Sequence, residues 1–246
     1  MREFRISLAG QCVGICSIYD EVYHLCRDYL SDETEVAFGV ETRPEDIAFE
    51  QEKSLREAAL ERKPVILYSE PYLETLAVYR KIAAGMLKYD TWLIHGSAVA
   101  VGHEAFLFTA PSGTGKTTHT KLWLEQVPGA FVINGDKPLL RMRAGICEAC
   151  GTPWSGKENM NLNAMVPLRA ICLLNRGTEN RIEEIPFRDA APLLLQQSCR
   201  YTDSLMMQKT MQLVKQLGSC VRFYRLFCNM ESEAALVSWN GMKSKY

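Results

Sequence analysis

The sequence predicts an α/β protein: a mixed β-sheet core with flanking helices and a phosphate-binding loop, preceded by a small N-terminal α/β subdomain. Three observations carry this. Short apolar runs of strand character alternate with segments of helical period along the 246 residues. The stretch "AFLFTAPSGTGKTTHTKLWLEQ", Ala105 to Gln126, passes from an apolar strand through a glycine-rich turn into a helix. The composition, 47% hydrophobic and 23% charged, is that of a folded chain able to bury one large core or a core with an attached subdomain.

Taken in order, residues 3–8 and 12–18 read as short strands. Asp20 then caps a helix whose apolar face is Val22, Leu25, Cys26 and Tyr29. Residues 35–41 form another strand, and the charged run from Glu45 to Arg62 is a solvated helix. "PVILY" (64–68) is strand-like, and Ser69 caps a helix carrying Leu73, Leu76, Ala83 and Leu87 at helical spacing. The character changes near residue 90, which separates a subdomain of residues 1–90 from a core of residues 91–246. There "WLIHGSAVAV" and "AFLFTA" flank Gly102-His103-Glu104, a tight hairpin of two buried strands.

The helix from Lys116 to about Gln126 ends before Pro128, and the strand "AFVI" (130–133) delivers Asp136. "PLLRM" (138–142) and "AGICEA" (144–149) predict a second hairpin. "RAICLLN" (169–175) and "NRIEEI" (180–185) continue the sheet around Gly177. Asp189 and Asp203 read as caps of two successive helices, the second with Met206, Thr210, Leu213 and Leu217 on one face and a stop at Gly218. The strand "VRFYRLFC" (221–228) and a short helix from about Ser232 close the chain.

Charge and cysteine content narrow the function classes. With 28 basic and 29 acidic residues the net charge is -1, so neither a nucleic-acid nor a membrane partner is expected. The N-terminus lacks the continuous apolar run of a signal peptide, and no later run has bilayer-spanning length, which makes the cytoplasm the expected location. Nine cysteines, an odd number among apolar neighbours, fit reduced buried thiols better than a disulfide framework.

"APSGTGKT", Ala110 to Thr117, fits the phosphate-loop (Walker A) pattern with alanine in place of the first glycine. Ser112, Gly113, Thr114 and Gly115 supply backbone N–H groups that converge on phosphate oxygens. Lys116 brings positive charge to the terminal phosphates, Thr117 a hydroxyl for magnesium, and the helix that runs on through Thr118 its positive end. The bland alternative is a strand-to-helix turn with an incidental lysine. A metal-bound nucleotide also needs an acid, and Asp136 follows the next strand, where it could hold magnesium or take a proton from an attacking hydroxyl. The alternative there is a turn former in "NGDKP".

"IHGSAVAV", the hairpin, "APSGTGKTTHTKLW" and "FVINGDKPLL" together resemble the carboxy-terminal domain of HPr kinase/phosphorylase and, more distantly, ATP-dependent phosphoenolpyruvate carboxykinase. The resemblance covers about residues 92–142, and "GTPWSGKE" (151–158) is similar to a feature of uncharacterised relatives. It implies an ATP- and magnesium-dependent kinase acting on a hydroxyl of a protein, peptide or small metabolite. Lys116 and Asp136 would be catalytic, with Thr117 and Asp136 on the metal. In the family an acidic pair stands where this chain has Gly135-Asp136, so one carboxylate is left to serve metal and acceptor. No target-binding motif is present, so HPr itself is not implied. A nucleotide-binding protein without turnover, and an ATPase or GTPase switch, are the rival classes; no NKxD-type guanine motif supports the switch.

Weaker features remain two-sided. His95 lies near the reacting phosphates in the resembled family, or is a satisfied core histidine. In "PWSGKEN" Lys157 could neutralise transferring phosphate and Trp154 could close over substrate as part of a lid, or the segment is a plain surface loop. Cys147 and Cys150 form a lone CxxC without a second pair, which favours structural cysteines. Arg141 and Arg143 share a strand face and are more simply solvated charge than phosphate ligands. His24, His103 and His119 follow no metal-ligand spacing.

Overall fold

A computed structural model of the protein describes residues 1–62 and 64–243 as a mixed α/β chain in two compact units, Met1–Gly85 and Met86–Tyr246. In the first, β1 (Arg2–Leu8) and β2 (Gln11–Ser17) pair antiparallel across the Ala9-Gly10 turn, both of whose residues have positive φ. After α1 (Asp20–Leu25), β3 (Phe38–Glu41) adds parallel to β2, and α2 (Pro44–Glu61) and α3 (Glu70–Met86) follow. Ile6, Leu8, Val13, Ile15, Val22 and Tyr29 form the buried interior. Gly85 lies so close to Phe38 that a Cβ there would stand 2.4 Å from the ring. Buried Glu74 accepts the N–H groups of Ile18 and Tyr19 at 2.6 and 2.8 Å and the Thr42 hydroxyl, which satisfies a carboxylate that would otherwise be costly to bury.

Three sequence readings change here. "PVILY" is not a strand: residues 64–68 have no regular structure, and Leu67 is 77% exposed. Strand propensity is realised only against a partner strand, and among the described residues none adjoins this run. The strand expected at 35–41 shortens to β3, and Asp20 is the first residue of α1, with Tyr19 in the cap position.

The second unit contains β4 (Thr91–Leu93), β5 (Ser97–Val101), β6 (Glu104–Thr109), α4 (Lys116–Gln126), β7 (Ala130–Asn134), β8 (Leu139–Arg143) and β9 (Ile146–Cys150). These are followed by β10 (Met165–Arg176), β11 (Arg181–Ile185), α5 (Phe187–Gln197), α6 (Ser204–Cys220), β12 (Arg222–Cys228) and α7 (Glu233–Met242). The sheet runs β4-β8-β9-β10-β6-β5-β7, with β12 also paired to β10 and β11 at its outer side. The long β10 joins β9 through residues 165–167 and then lies between β6 and β12, parallel to both. Three strands therefore end at one edge, the edge where open α/β sheets place ligands. Leu194, Leu213 and Leu217 of α5 and α6 pack into one apolar cluster; Trp123, Ala235 and Met242 of α4 and α7 pack into another.

"WLIHGSAVAV" is two strands instead of one, because β4 pairs with β8 whereas β5 pairs with β6 and β7. The chain changes partner at residues 94–96, so His95 sits in a bend. Asp189 lies in the first turn of α5, which starts after Pro186, while Asp203 does cap α6 by accepting the Met206 N–H at 2.8 Å. The helix α6 runs past Gly218 to Cys220, and this glycine instead admits the ring of Phe187, 3.0 Å from where a Cβ would be. No helix among the described residues is long and apolar enough to cross a membrane.

Candidate functional site

The loop between β6 and α4 is held open by its glycines. Gly113 and Gly115 adopt φ of 78° and 124°, conformations that a side chain would strain, and nothing lies within 4 Å of where a Cβ would point. Thr114 closes an internal turn by donating its hydroxyl to the Pro111 carbonyl at 2.8 Å. Ser112, Gly113, Thr117 and Thr118 are exposed, and Thr114 and Gly115 half-buried. Lys116, the first residue of α4, is buried, and its ammonium donates to the carbonyls of Ala110 and Pro111 at 3.0 and 3.5 Å. Burial lowers its pKa, and the charge of Asp136 works in the opposite direction. From the end of β10, Arg176 donates to the carbonyls of Gly113 (2.6 Å) and Thr114 (3.4 Å).

His95 and Asp136 come together beside this loop. The hydroxyl of Thr109, at the end of β6, donates to the His95 carbonyl at 2.9 Å, and the Gly96 N–H donates to the Asp136 carbonyl at 2.9 Å. The bend at 94–96 is thus tied to the loop strand on one side and to the turn after β7 on the other. His95 Nε2 lies 3.2 Å from Asp136 Oδ1, and Lys137 Nζ 2.5 Å from Asp136 Oδ2. Burial alone would raise the Asp136 pKa. The His95 hydrogen bond and the Lys137 charge outweigh it and hold the carboxyl well below the usual carboxylate range.

Asn134 builds the turn that presents Asp136. It is fully buried, and its Oδ1 accepts the N–H groups of Asp136 and Lys137 at 2.9 and 2.7 Å. Its amide nitrogen donates to the Thr152 carbonyl and hydroxyl, both at 2.9 Å, which fastens the next loop to the same side chain. Gly135 is tightly enclosed: its N–H donates to the Met160 carbonyl at 2.9 Å, and a Cβ would stand 3.2 Å from the Ser155 carbonyl oxygen.

The segment 152–159 is not a free lid. Thr152, Trp154 and Ser155 are buried, and the Asn161 amide donates to the Ser155 hydroxyl at 2.8 Å. The tip at Gly156, Lys157 and Glu158 is exposed, with Glu158 paired to Lys121 of α4 at 3.0 Å. Gly156 packs against Asp136, while the side chain of Lys157 stands in solvent. Arg141 is not solvated charge: it is buried and pairs with Glu148 across the β8–β9 hairpin at 2.7 Å. Cys147 and Cys150 are buried free thiols, and no metal-holding group of three or more His, Cys, Asp or Glu occurs among the described residues. His119 lies on the buried face of α4 with Nε2 3.1 Å from the Ser238 hydroxyl, and burial pushes its pKa down to about 4.

Four residues of the site have no role in the sequence reading: Asn134 and Lys137, inside "FVINGDKPLL", and Arg176 and Gln197, outside every motif. Gln197 ends α5, and its Oε1 lies 2.8 Å from His95 Nδ1. Only Asn134 and Lys137, as neighbours of Asp136, stand beside a residue that the sequence itself singles out.

Fold and site together define a mixed α/β protein with a glycine loop, a buried lysine and a histidine–carboxylate pair at the carboxyl edge of parallel strands. No family model matches the chain, and no curated protein does. Among solved structures it is similar to the HPr(Ser) kinase/phosphatase from Coxiella burnetii, at 10% identity and a TM-score of 0.35, over 61% of this chain and 95% of that one. So slight a likeness carries no weight for the site, whose chemistry rests on its own residues.

Proposed function

We propose that the protein is an ATP- and magnesium-dependent phosphotransferase acting on a hydroxyl group of a protein, peptide or small metabolite. The observation that carries this reading is the pairing of two features: a glycine loop with a buried, desolvated lysine, and an ionised carboxylate whose charge reaches that lysine. The fit to a nucleotide is favourable. Lys116 is a buried cation whose hydrogen-bond acceptors among the described residues are two carbonyls, so an anion would compensate it better. The space above Gly113 and Gly115 is open. Magnesium is commonly held by one or two carboxylates, a hydroxyl and substrate phosphates, which Thr117 and Asp136 suit without a larger acidic cluster.

Bound ATP with magnesium supplies the transferable phosphoryl group. The chain does the rest by position and charge. The amides of residues 112–118 and the start of α4 orient the anion, and Lys116 leaves the Ala110 and Pro111 carbonyls to neutralise it. Asp136 would orient the acceptor hydroxyl and take its proton as the acceptor oxygen bonds to the terminal phosphorus and the bond from that phosphorus to the bridging oxygen breaks, with ADP as the leaving group. Its depressed pKa suits a loose transition state, in which the proton leaves late and orientation matters more than basicity. His95 keeps the carboxylate aligned from one side and Lys137 from the other.

A second reading, nucleotide binding without turnover, is favoured by one observation: both Asp136 oxygens are occupied, by His95 and by Lys137. The test is calorimetric titration with ATP and magnesium, then assay of labelled ATP with a panel of hydroxyl acceptors. Binding with transfer supports the kinase; binding without transfer or hydrolysis supports the second reading; absence of binding defeats both.

A further inference from the structure

The strand β10 outruns its neighbour on the loop side. Leu173 pairs with Thr109, the last residue of β6, and β10 continues to Arg176 with Cys228 of β12 beside it. A paired strand thus carries Arg176 to the glycine loop, where Nη2 donates to the Gly113 carbonyl at 2.6 Å and Nε to the Thr114 carbonyl at 3.4 Å. These two carbonyls are its hydrogen-bond acceptors among the described residues. A trans peptide points its C=O and N–H in opposite directions. Drawing the Gly113 carbonyl toward Arg176 therefore turns the Thr114 N–H away from it, and drawing the Thr114 carbonyl does the same to the Gly115 N–H. The Thr114 N–H meets the Pro111 carbonyl at 3.3 Å, a long bond that an anionic acceptor would improve on. Gly113 and Gly115 bring wide backbone freedom and no side chain to pack, so the shape of the loop depends on contacts from outside it.

We infer that Arg176 is a positioning residue for the glycine loop: its two-nitrogen fork holds the Gly113 and Thr114 carbonyls to one side and so aims the Thr114 and Gly115 N–H groups to the other. A planar guanidinium spans two neighbouring oxygens in a way that a single ammonium does not match. That the aimed amides meet polyphosphate rests on the phosphotransfer reading, whereas the hold on the loop does not. Arg176 is exposed, so replacing it leaves the packing of the fold intact.

The test uses the full chain, with NMR order parameters for the amides of residues 113–115 and calorimetric titration with magnesium pyrophosphate. In Arg176→Met those amides are expected to lose order on the picosecond-to-nanosecond scale while the melting temperature stays that of the wild type. Pyrophosphate should bind about tenfold more weakly, the scale of one charge-assisted contact. Arg176→Lys, which keeps the charge but not the fork, should recover only part of the order and of the affinity. In steady-state assays Arg176→Met should raise KM for ATP about tenfold and leave kcat within about twofold, because the lost contact serves ground and transition state alike. Wild-type loop order in Arg176→Met, or a pyrophosphate affinity equal to that of a wild type that binds it, would overturn the inference. Full recovery of both in Arg176→Lys would overturn it too, by reducing the residue to a nearby charge. A wild type that binds neither pyrophosphate nor ATP would defeat the phosphotransfer reading instead, and the loop order would still decide the role of Arg176.

Discussion

Lys116 and Asp136 are each committed to partners inside the chain, and the cost of releasing them sets what single substitutions should do. Lys116 gives up two carbonyls when it meets phosphate, so its net contribution is the difference between charge-assisted and ordinary hydrogen bonds. Lys116→Ala is expected to weaken ATP–magnesium binding by about tenfold to a hundredfold, from roughly 1.5–3 kcal/mol per charged contact, as read by calorimetry. Equal isotherms would place the phosphate elsewhere. Asp136→Asn removes charge and basicity but keeps the shape that Gly156 packs against. Nucleotide should still bind, and transfer or slow hydrolysis should fall by about two to four orders of magnitude. An Asn variant that retains wild-type turnover would exclude Asp136 as the group that handles the acceptor proton.

Among the elements, those with strong period or caps were legible in the sequence: the β5–β6 and β8–β9 hairpins, α4 behind its glycine loop, and α6 behind Asp203. What failed depended on partners that a linear reading does not see. "PVILY" has strand composition but no neighbouring strand among the described residues, and "WLIHGSAVAV" crosses between two pairings. For the same reason Gln197 and Arg176 were invisible, being ordinary polar residues that matter only where α5 and β10 end. Composition suggested a lid at 152–159, and burial of its first half corrects that. Hydrogen exchange should accordingly be slower at the buried Thr152, Trp154 and Ser155 than at the exposed Lys157 and Glu158; equally fast exchange at all five would contradict the burial of the first half. Gly135 is also fixed by its enclosure. Gly135→Ala should lower Tm by a few degrees, as about 1–2 kcal/mol does in a chain of this size, because the Ser155 carbonyl must shift. An unchanged melting curve would show that this backbone yields freely.

For the whole molecule, buried titratable groups define the pH range in which the fold is most stable. His119 has a folded pKa of about 4 against an ordinary 6.5, so the unfolded chain binds the extra proton first and acid favours unfolding. Stability present above pH 6.5 should fall by about 3 kcal/mol on acidification to pH 4, and His119→Gln should flatten that slope in urea titrations. Below about pH 4 the depressed carboxyl of Asp136 adds a further loss as it is forced to protonate. At the alkaline end, burial pushes Cys26 and Cys150 up to about 12 from 9, so the folded chain keeps protons that the unfolded chain releases. Stability should therefore decline above pH 9, leaving a plateau between about 6.5 and 9. A maximum at pH 5 would contradict the neutral, enclosed state of His119.

Those same thiols make the protein its own reporter of opening. Cys26, Cys147, Cys150 and Cys172 are free, buried and held in the protonated form, and only the thiolate reacts with alkylating reagents. Two of them lie on β9 and one on β10 in the second unit, and Cys26 lies in the first. Iodoacetamide should leave all four unmodified in the folded chain and modify each at a rate set by the fraction of time its surroundings are open. Mass spectrometry of timed samples would then give separate opening free energies for the two units from unmutated protein, with no dye or tag attached.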